Sequence, residues 1–325
     1  MLGSASQRGD TLTRGIEMLD AQVEGDADRL REEFRDARPF RHVVMRPFLR
    51  AEAIEDLARE FPAFEDRHAT NEFGKVGRKA SRPDMPGLGP AYRRLDGLLR
   101  SKEFLALMTR ITAIPNLLYD PEYIGGGTHE NLVGNELDPH VDFNYHPATG
   151  WHRRLNLILF VHHTWDESWG GCLDLHRDPW SRDDEFTSIV PHRNHCVLFE
   201  TTECSWHGFR RIEPPADHVA VSRKSIAVYF YTKQRPPDET APSHATVYVQ
   251  RKLPEHIVPG YELQASDVQA IENLFERRDQ QIRFLYEREK ESAAILGKII
   301  HSPTFRLSQA LVWPAKKLRD LFRGG

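Results

Sequence analysis

The residues best suited to chemistry stand in the short stretch Pro139–Phe143. If this stretch is a strand, residues two apart face the same side, so His140 and Asp142 present an imidazole and a carboxylate next to each other. A second imidazole, that of His207, stands in the run Ser205–Gly208. Two imidazoles and one carboxylate form the facial ligand set that holds Fe(II) and leaves three positions open. The sequence therefore predicts an Fe(II) centre with His140, Asp142 and His207 as metal ligands.

A basic residue and a hydroxyl follow the third predicted ligand. Arg223 and Ser225 lie two residues apart at the start of an apolar run, so a strand places them on one face. A guanidinium can bind a carboxylate through two parallel hydrogen bonds, and the serine hydroxyl can donate a third. The pair is therefore predicted to anchor an organic acid that supplies electrons for O2 activation at the iron.

Other residues of the same types compete for these roles. His192 and His195 are alternatives for the third ligand, but both precede the predicted strand Cys196–Thr201. Arg193 and Lys224 are alternatives for the anchor, and Lys224 faces the opposite side if its strand is regular.

Short runs of β-type residues, separated by turn residues, recur from about residue 116. The predicted strands are Leu117–Ile124, Leu137–Asn144, Leu155–His163, Cys172–His176, Thr187–Val190, Cys196–Thr201, Trp206–Ile212 and Ser225–Thr232. This series is typical of a two-sheet barrel of the jelly-roll kind.

Apolar residues at helical spacing predict helices on both sides of the barrel. The predicted elements are one or two helices within 11–37, a short strand at Phe40–Val44, helices at Ala51–Phe61 and about Ala91–Ile111, and a long helix at 266–300. Residues 63–90 are predicted as a loop and residues 237–262 as irregular. The fold class is therefore mainly β with flanking helices, an α+β arrangement.

The C-terminal part leaves several interpretations open. The heptad pattern of the 266–300 helix is interrupted by polar residues, so packing on the barrel and a homodimeric coiled coil are both open. Residues 303–325 are basic and partly apolar. They are predicted either as a packed terminal helix or as a peripheral contact with an anionic membrane surface.

Composition excludes several classes of protein. The net charge of −4 gives no electrostatic reason to expect nucleic acid as a partner. Three cysteines cannot pair completely, which favours a reducing compartment. The residues near residue 1 are polar, so no signal peptide is predicted there. No apolar run is long enough to span a bilayer. The predicted location is cytoplasmic, with contact at the inner face of the membrane left open.

Residues 123–231 resemble the Fe(II)/2-oxoglutarate-dependent dioxygenases, specifically the prolyl-4-hydroxylase-like branch. The stretches that carry the resemblance, in family order and spacing, are His140–Asn144, Arg153–Phe160, Trp169–Leu175, Val197–Thr202, Ser205–Gly208 and Arg223–Tyr231. The connection before His140, which carries His129 and Asn131, is longer than is usual in the family.

The resemblance implies a double-stranded β-helix core with N-terminal support helices. It implies that Arg223 and Ser225 hold the distal carboxylate of 2-oxoglutarate, with Asn156 and Tyr123 as further candidate contacts. It also implies that O2 is consumed, that succinate and CO2 are released, and that an unactivated C–H bond is hydroxylated. Related halogenases lack the carboxylate ligand, so Asp142 favours hydroxylation.

The sequence is therefore interpreted as three segments: an N-terminal helical lead at 1–38, a dioxygenase domain at 39–236 with its jelly-roll core at about 116–233, and a C-terminal extension at 237–325. The predicted substrate is a peptidyl proline, an amino acid or natural-product intermediate, or a cell-surface glycan or lipid-linked compound. Two alternatives stay open: a cupin-type metal dioxygenase or isomerase that does not use 2-oxoglutarate, and a non-catalytic scaffold.

Overall fold

Two antiparallel sheets form the centre of the computed structural model, which describes residues 17–69, 77–254, 256–305 and 307. The major sheet has the strand order β1-β9-β6-β11-β4-β2, with β3 also paired to β11, and the minor sheet has the order β12-β5-β10-β7-β8. The strands are β1 (His42–Met45), β2 (Lys79–Arg82), β3 (Leu118–Tyr119), β4 (Gly127–Leu132), β5 (Leu137–Val141), β6 (His152–Phe160), β7 (Leu173–His176), β8 (Phe186–Ile189), β9 (Cys196–Glu200), β10 (Trp206–Phe209), β11 (Ser222–Thr232) and β12 (Val247–Tyr248).

Helices cover one face of the major sheet. They are α1 (Ala21–Gly25), α2 (Ala27–Asp36), α3 (Ala51–Arg59), α4 (Pro90–Leu99) and α5 (Lys102–Thr112). Alternate residues of the central strands, such as Leu157 and Val228, share one buried cluster with Phe34 and Met108 of these helices. Burial of this apolar face contributes about 25 cal/mol per Å² of area removed from water, the dominant favourable term of folding.

The intervening residues of the same strands face the minor sheet. Phe160 of β6 and Phe199 of β9 pack with Leu173 and Leu175 of β7 in a second, smaller cluster. Because the side chains of a strand alternate between its faces, one face of β6 and β11 packs against the helices and the other faces the minor sheet. The prediction of a mainly β jelly roll with flanking helices is confirmed.

Each predicted strand overlaps an observed one, although β3 has only two of the eight residues predicted at Leu117–Ile124, and three observed strands were not predicted. These are β2, β4 and β12, which fall in regions predicted as a loop, a connection and an irregular segment. The sequence of β4, Gly-Thr-His-Glu-Asn-Leu, lacks the apolar alternation by which strands are recognised. Its inward residues are polar because they face a cavity rather than the apolar core.

The single helix predicted at about Ala91–Ile111 is two helices, α4 and α5. Ser101 lies between them with extended backbone, and its side-chain oxygen accepts a hydrogen bond from the Phe104 amide at 3.2 Å. A serine in this position begins a new helix, because it satisfies an amide that has no partner within the helix. The prediction of one continuous helix was wrong at this cap.

The chain divides into two compact units, Met1–Val249 and Gln250–Gly325. Within the first unit, the helices α1 and α2 bury Val23, Leu30 and Phe34 in the cluster that covers the major sheet. The predicted segment boundaries after residues 38 and 236 stay predictions.

The second unit contains α6 (Ala265–Ile300), which coincides with the predicted long helix. A capping box begins it: the Gln264 side chain accepts from the backbone at Asp267, and the Asp267 carboxylate accepts from the Gln264 amide at 2.9 Å. In the described residues, no helix is both long and apolar enough to cross a membrane. The predicted membrane contact of 303–325 falls almost wholly outside the described residues.

A glycine at the start of β4 provides a test of the way β2 joins the major sheet. Gly127 has φ +95°, and a Cβ there would lie 2.1 Å from the Arg82 carbonyl oxygen. Gly127→Ala should lower the free energy of unfolding by about 1–3 kcal/mol or more, since backbone strain adds to the clash. Urea denaturation measures the effect.

The matched control is Gly97→Ala in the exposed middle of α4, where a Cβ meets nothing within 4 Å. This change should raise the free energy of unfolding by about 0.5–1 kcal/mol. Equal stability of the two variants would contradict the close approach at Gly127.

Candidate metal centre and its cavity

Two histidines of the minor sheet lie directly opposite each other. His140 of β5 pairs with His207 of β10, and their ring centroids are 4.2 Å apart. The register shifts between this pair and the next, Phe209 with Leu137, so β5 carries an extra residue there. Pro139 lies in this bulge. Proline has no amide hydrogen, but the bulge already interrupts the hydrogen bonds between β5 and β10, so proline costs no additional one. The bulge sets the direction in which His140 points.

Each imidazole is oriented through its Nδ1 atom. Nδ1 of His140 lies 3.0 Å from the Asp138 carbonyl oxygen, and Nδ1 of His207 lies 3.0 Å from the Ser205 carbonyl oxygen. A backbone carbonyl can accept only from a protonated Nδ1, so each ring in its neutral form has an unprotonated Nε2. This is the tautomer in which Nε2 can bind a metal.

Asp142 completes the group just beyond the end of β5. The Nε2 atom of His140 lies 3.8 Å from one carboxylate oxygen of Asp142, and that of His207 lies 3.8 Å from the other. One potential ligand atom from each of the three residues falls within a 4.8 Å span. Neutral imidazoles and a carboxylate at this spacing suit Fe(II), so the residues present fit the predicted metal.

Two side chains of β6 hold the Asp142 carboxylate. Nη1 of Arg153 lies 3.0 Å from Oδ2 of Asp142, and Nδ2 of Asn156 donates to the same oxygen at 3.3 Å. The Arg153 guanidinium lies between the rings of Phe143 and Tyr229, with Cζ 3.6 and 3.7 Å from their centroids. Arg153 is 1% exposed. Stacking on both faces fixes this cation in a dry environment, where its attraction to Asp142 is strong.

The surroundings set the charges of the three residues. Burial, together with the neighbouring His207, lowers the pKa of His140 to about 3. Burial also lowers the pKa of His207. Burial alone would raise the pKa of Asp142, but the nearby positive charge of Arg153 outweighs it and the pKa falls to about 2. Near neutral pH the site therefore has two neutral imidazoles and one carboxylate, which is the form that binds a divalent metal.

A cavity of about 230 Å³ extends from the three predicted metal ligands between the two sheets. On the major sheet, cross-strand neighbours form one row of Lys79, Asn131 and Arg223 and a second row that contains His129 and Ser225. Burial is the main cause of a His129 pKa well below its usual value, and the charges of Lys79 and Arg223 lower it further. This wall of the cavity is therefore positively charged.

Arg223 is the most deeply placed cation of that wall. Its Nε donates to the Gly171 carbonyl oxygen at 2.7 Å, and its guanidinium lies over the rings of Phe160 and Phe209. Burial lowers its pKa to about 10, so it stays charged at neutral pH. Among the described residues, no aspartate or glutamate forms an ion pair with it.

The structure brings together all but one of the predicted site residues. His140, Asp142, His207, Arg223, Ser225 and Asn156 line one cavity. Tyr123 does not: its hydroxyl donates to Asp96 at 3.2 Å, and its ring lies in the cluster beneath the helices. The roles of the others as ligands and anchor stay predictions.

The competing residues lie elsewhere. Lys224 pairs with Glu130 at 3.5 Å on the opposite face of β11, as the strand period predicts. Arg193 pairs with Glu55 at 2.8 Å. The rings of His192 and His195 pack on each other, and neither residue lines the cavity.

Sequence reasoning missed Arg153, Lys79, His129 and Asn131 as members of the site. For Arg153 the strand period is misleading, because in a regular strand residue 153 shares a face with Leu155, while its neighbour Arg154 faces the other way. The irregular pairing near Arg153, where the register between β6 and β11 shifts, places it instead on the cavity side with Asn156. Lys79 had no signal, since β2, Lys-Ala-Ser-Arg, contains no large apolar residue.

A family model provides the decisive comparison. Residues 127–231 match the model described as the 2OG-Fe(II) oxygenase superfamily. This part of the chain is therefore similar to the 2OG-Fe(II) oxygenase superfamily. The matched oxygenase segment begins with β4, ends within β11 and contains every predicted ligand and anchor. The predictions of an oxygenase, and of Fe(II) and 2-oxoglutarate as its cofactors, are confirmed at the level of this family.

Solved structures include several similar proteins. A prolyl 4-hydroxylase from Phytophthora capsici is 15% identical, with 99% of this chain and 98% of that chain covered and a TM-score of 0.45. A prolyl hydroxylase from Trichoplax adhaerens, solved with a hypoxia inducible factor peptide, is 13% identical over 66% and 95% of the two chains, with a TM-score of 0.45. HygX from Streptomyces hygroscopicus, solved with nickel, 2-oxoglutarate and hygromycin B, is 14% identical over 63% and 91%, with a TM-score of 0.41. A search of curated proteins gave no match.

The arginine pair on β6 offers a matched test of how Asp142 is held. Arg153→Met should weaken Mn(II) binding about 10- to 100-fold, the usual effect of removing a group that orients a metal ligand. Titration calorimetry of the metal-free protein measures it.

Arg154→Met is the control. Arg154 is similarly buried but pairs with Glu200 and Glu239 instead of Asp142. This variant should lose stability while keeping its affinity for Mn(II). Equal weakening by both changes would contradict a specific role of Arg153.

The low pKa of His140 predicts how the stability of the metal-free protein varies with pH. The unfolded imidazole has a pKa near 6.5 and the folded one a pKa of about 3, so between these values the unfolded chain binds the extra proton. The free energy of unfolding should therefore fall as the pH drops below about 6.5, by up to about 1.4 kcal/mol per pH unit for each such group.

Urea denaturation between pH 7.5 and pH 5 measures this slope, to which other buried histidines also contribute. His140→Gln should reduce the slope of the free energy of unfolding against pH by the contribution of one imidazole. An unchanged slope in the variant would show that His140 titrates normally.

Proposed function

We propose that this protein is an Fe(II)- and 2-oxoglutarate-dependent hydroxylase that acts on an unactivated C–H bond. In this proposal His140, Asp142 and His207 bind the iron. Arg223 and Ser225 hold the distal carboxylate of 2-oxoglutarate, which is converted to succinate and CO2.

The buried guanidinium of Arg223 is the observation that carries the proposal. An unpaired charge in a dry environment is costly, and an ionised partner offsets that cost. Arg223 and Ser225 face the same cavity as the metal ligands, and no acidic side chain of the described residues pairs with the guanidinium. A small dicarboxylate that reaches from the metal to Arg223 supplies the missing partner. A cupin-type enzyme without 2-oxoglutarate has no need of this cation.

The residues of the chain have separate tasks in this chemistry. Fe(II) and 2-oxoglutarate, when bound, would activate O2, which is the oxidant for the substrate C–H bond, with 2-oxoglutarate supplying the electrons. Arg153 and Asn156 orient Asp142, while the Arg223 guanidinium orients the co-substrate by two parallel hydrogen bonds. Phe143 and Phe209 contribute apolar rings to the lining of the cavity.

The substrate belongs, in this proposal, to one of three classes: a peptidyl proline, an amino acid or natural-product intermediate, or a cell-surface glycan or lipid-linked compound. Two of the similar solved structures hold a peptide and hygromycin B respectively, so they do not decide between these classes. Thr246 and Tyr248 line the cavity from outside the family segment. Formation of succinate with candidate compounds from each class identifies the substrate.

A spectroscopic experiment tests the proposal without a substrate. The protein is loaded with Fe(II) under anaerobic conditions, 2-oxoglutarate is added, and the visible spectrum is recorded beside that of His140→Ala. A metal-to-ligand charge-transfer band in the wild type alone supports chelation of 2-oxoglutarate at the site. Bound iron without the band would favour the cupin-type alternative, and the absence of bound iron would favour the scaffold.

Substitution of Arg223 and of its neighbour Lys224 on β11 tests whether Arg223 anchors 2-oxoglutarate. Arg223→Met should raise the dissociation constant of 2-oxoglutarate about 10- to 100-fold, because a charge-assisted hydrogen-bonded pair contributes about 1.5–3 kcal/mol. Titration of the charge-transfer band measures the constant. Lys224→Met, on the opposite face, should leave it unchanged. If both variants bind 2-oxoglutarate like the wild type, the anchor lies elsewhere.

A further inference from the structure

The helix α6 presents large apolar side chains to solvent along its length. Val268, Phe275, Ile282, Leu285 and Leu296 are between 43% and 58% exposed, and Ile299 is 50% exposed. The one buried residue of this helix is Asp267 at its beginning. An exposed series of large apolar side chains of this extent marks a surface that another molecule covers.

The stripe has the spacing of a coiled-coil seam. Counted in sevens, one set of positions contains Val268, Phe275, Ile282, Glu289 and Leu296. The second set, three residues later in each heptad, contains Ile271, Arg278, Leu285, Ser292 and Ile299. Seven of these ten seam positions are apolar, and a helix of this length measures about 54 Å. The three polar positions decide what can pair with it.

The polar positions match each other when two copies of the helix run in opposite directions. Arg278 and Glu289 are equally far from the midpoint between residues 283 and 284, so an antiparallel partner places one opposite the other. The same register places Ile282 opposite Leu285. It also places Ser292, the smallest residue of the seam, opposite Phe275, the largest.

The ends of the seam fit the same register. Ile271 lies opposite Leu296, and Val268 lies opposite Ile299, so every remaining layer is apolar on both sides. Each layer occurs twice by symmetry, as a two-fold interface requires. A parallel pair would instead place Arg278 against Arg278 and Glu289 against Glu289, and like charges within a seam destabilise it.

We propose that α6 is the dimerisation element of this protein, pairing with the α6 of a second copy in an antiparallel coiled coil centred between residues 283 and 284. Within its own unit, Arg278 donates its Nε–H to Gln250 at 2.9 Å. Among the described residues no other hydrogen bond or ion pair involves this guanidinium, so its two terminal amino groups can bind Glu289 of the second copy. The matched charges set both the orientation and the register of the pair.

Charge reversal in the full-length protein tests this interface, with sedimentation equilibrium as the readout. The wild type should be a dimer at micromolar concentration. Arg278→Glu and Glu289→Arg should each raise the dimer dissociation constant at least tenfold, because each change places like charges in two symmetric layers. The double variant R278E/E289R restores opposite charges and should return the constant to within a few fold of the wild type.

Arg283→Glu is the control, since Arg283 lies next to the seam position Ile282 but faces away from it. This variant should dimerise like the wild type. A monomeric wild type would overturn the proposal, including a monomer that binds phosphatidylglycerol vesicles through the same stripe. A dimer that tolerates the single reversals, or that the double reversal fails to restore, would also overturn it. These readouts do not depend on catalysis, so they are independent of the proposed hydroxylation.

Discussion

The ion pair between Arg153 and Asp142 is the interaction on which the geometry of the site depends. Asp142 follows the minor-sheet strand that carries His140, whereas Arg153 belongs to the major sheet, so this pair ties the two sheets together at the metal centre. A carboxylate buried alone would take up a proton and lose its value as a ligand. The stacked guanidinium prevents this, and its position between two aromatic rings leaves the carboxylate little freedom to move. The metal geometry is therefore prepared by the fold.

This arrangement requires compensation elsewhere, because polar and charged groups in a barrel interior weaken the apolar core. One face of the major sheet bears that compensation. Its alternate residues pack with helices α1 to α5 in a single large cluster, while the opposite face has a smaller cluster, which includes Phe160 and Phe199, beside the polar residues of the cavity. Because one face of the sheet supplies most of the apolar core, the other face can carry the polar residues of the cavity without loss of the fold.

The sequence predicts the parts of this protein that follow a strict period. The strand period places His140 beside Asp142 and Arg223 beside Ser225, and apolar alternation locates the central strands. It fails where a cavity replaces the core: β4 and β2 line that cavity, so they lack the apolar pattern and Lys79, His129 and Asn131 were missed as site residues. It fails for Tyr123, whose partner Asp96 comes from a helix distant in sequence. Arg153 needed the register of β6, which a shift in pairing changes.

The hydrogen bond between Arg223 and the Gly171 carbonyl limits the length of the diacid that can bind in the cavity. Gly171 adopts φ +67°, and a Cβ there would lie 2.8 Å from the ring of Trp165, so the turn that carries this carbonyl has little room to shift. The two histidines predicted to bind the metal are likewise oriented by backbone carbonyls, those of Asp138 and Ser205. The histidines at one end of the cavity and Arg223 at the other are both hydrogen-bonded to the main chain, so the distance between them is fixed. Under the proposed function, a diacid one carbon shorter or longer would satisfy the metal or the guanidinium, but not both.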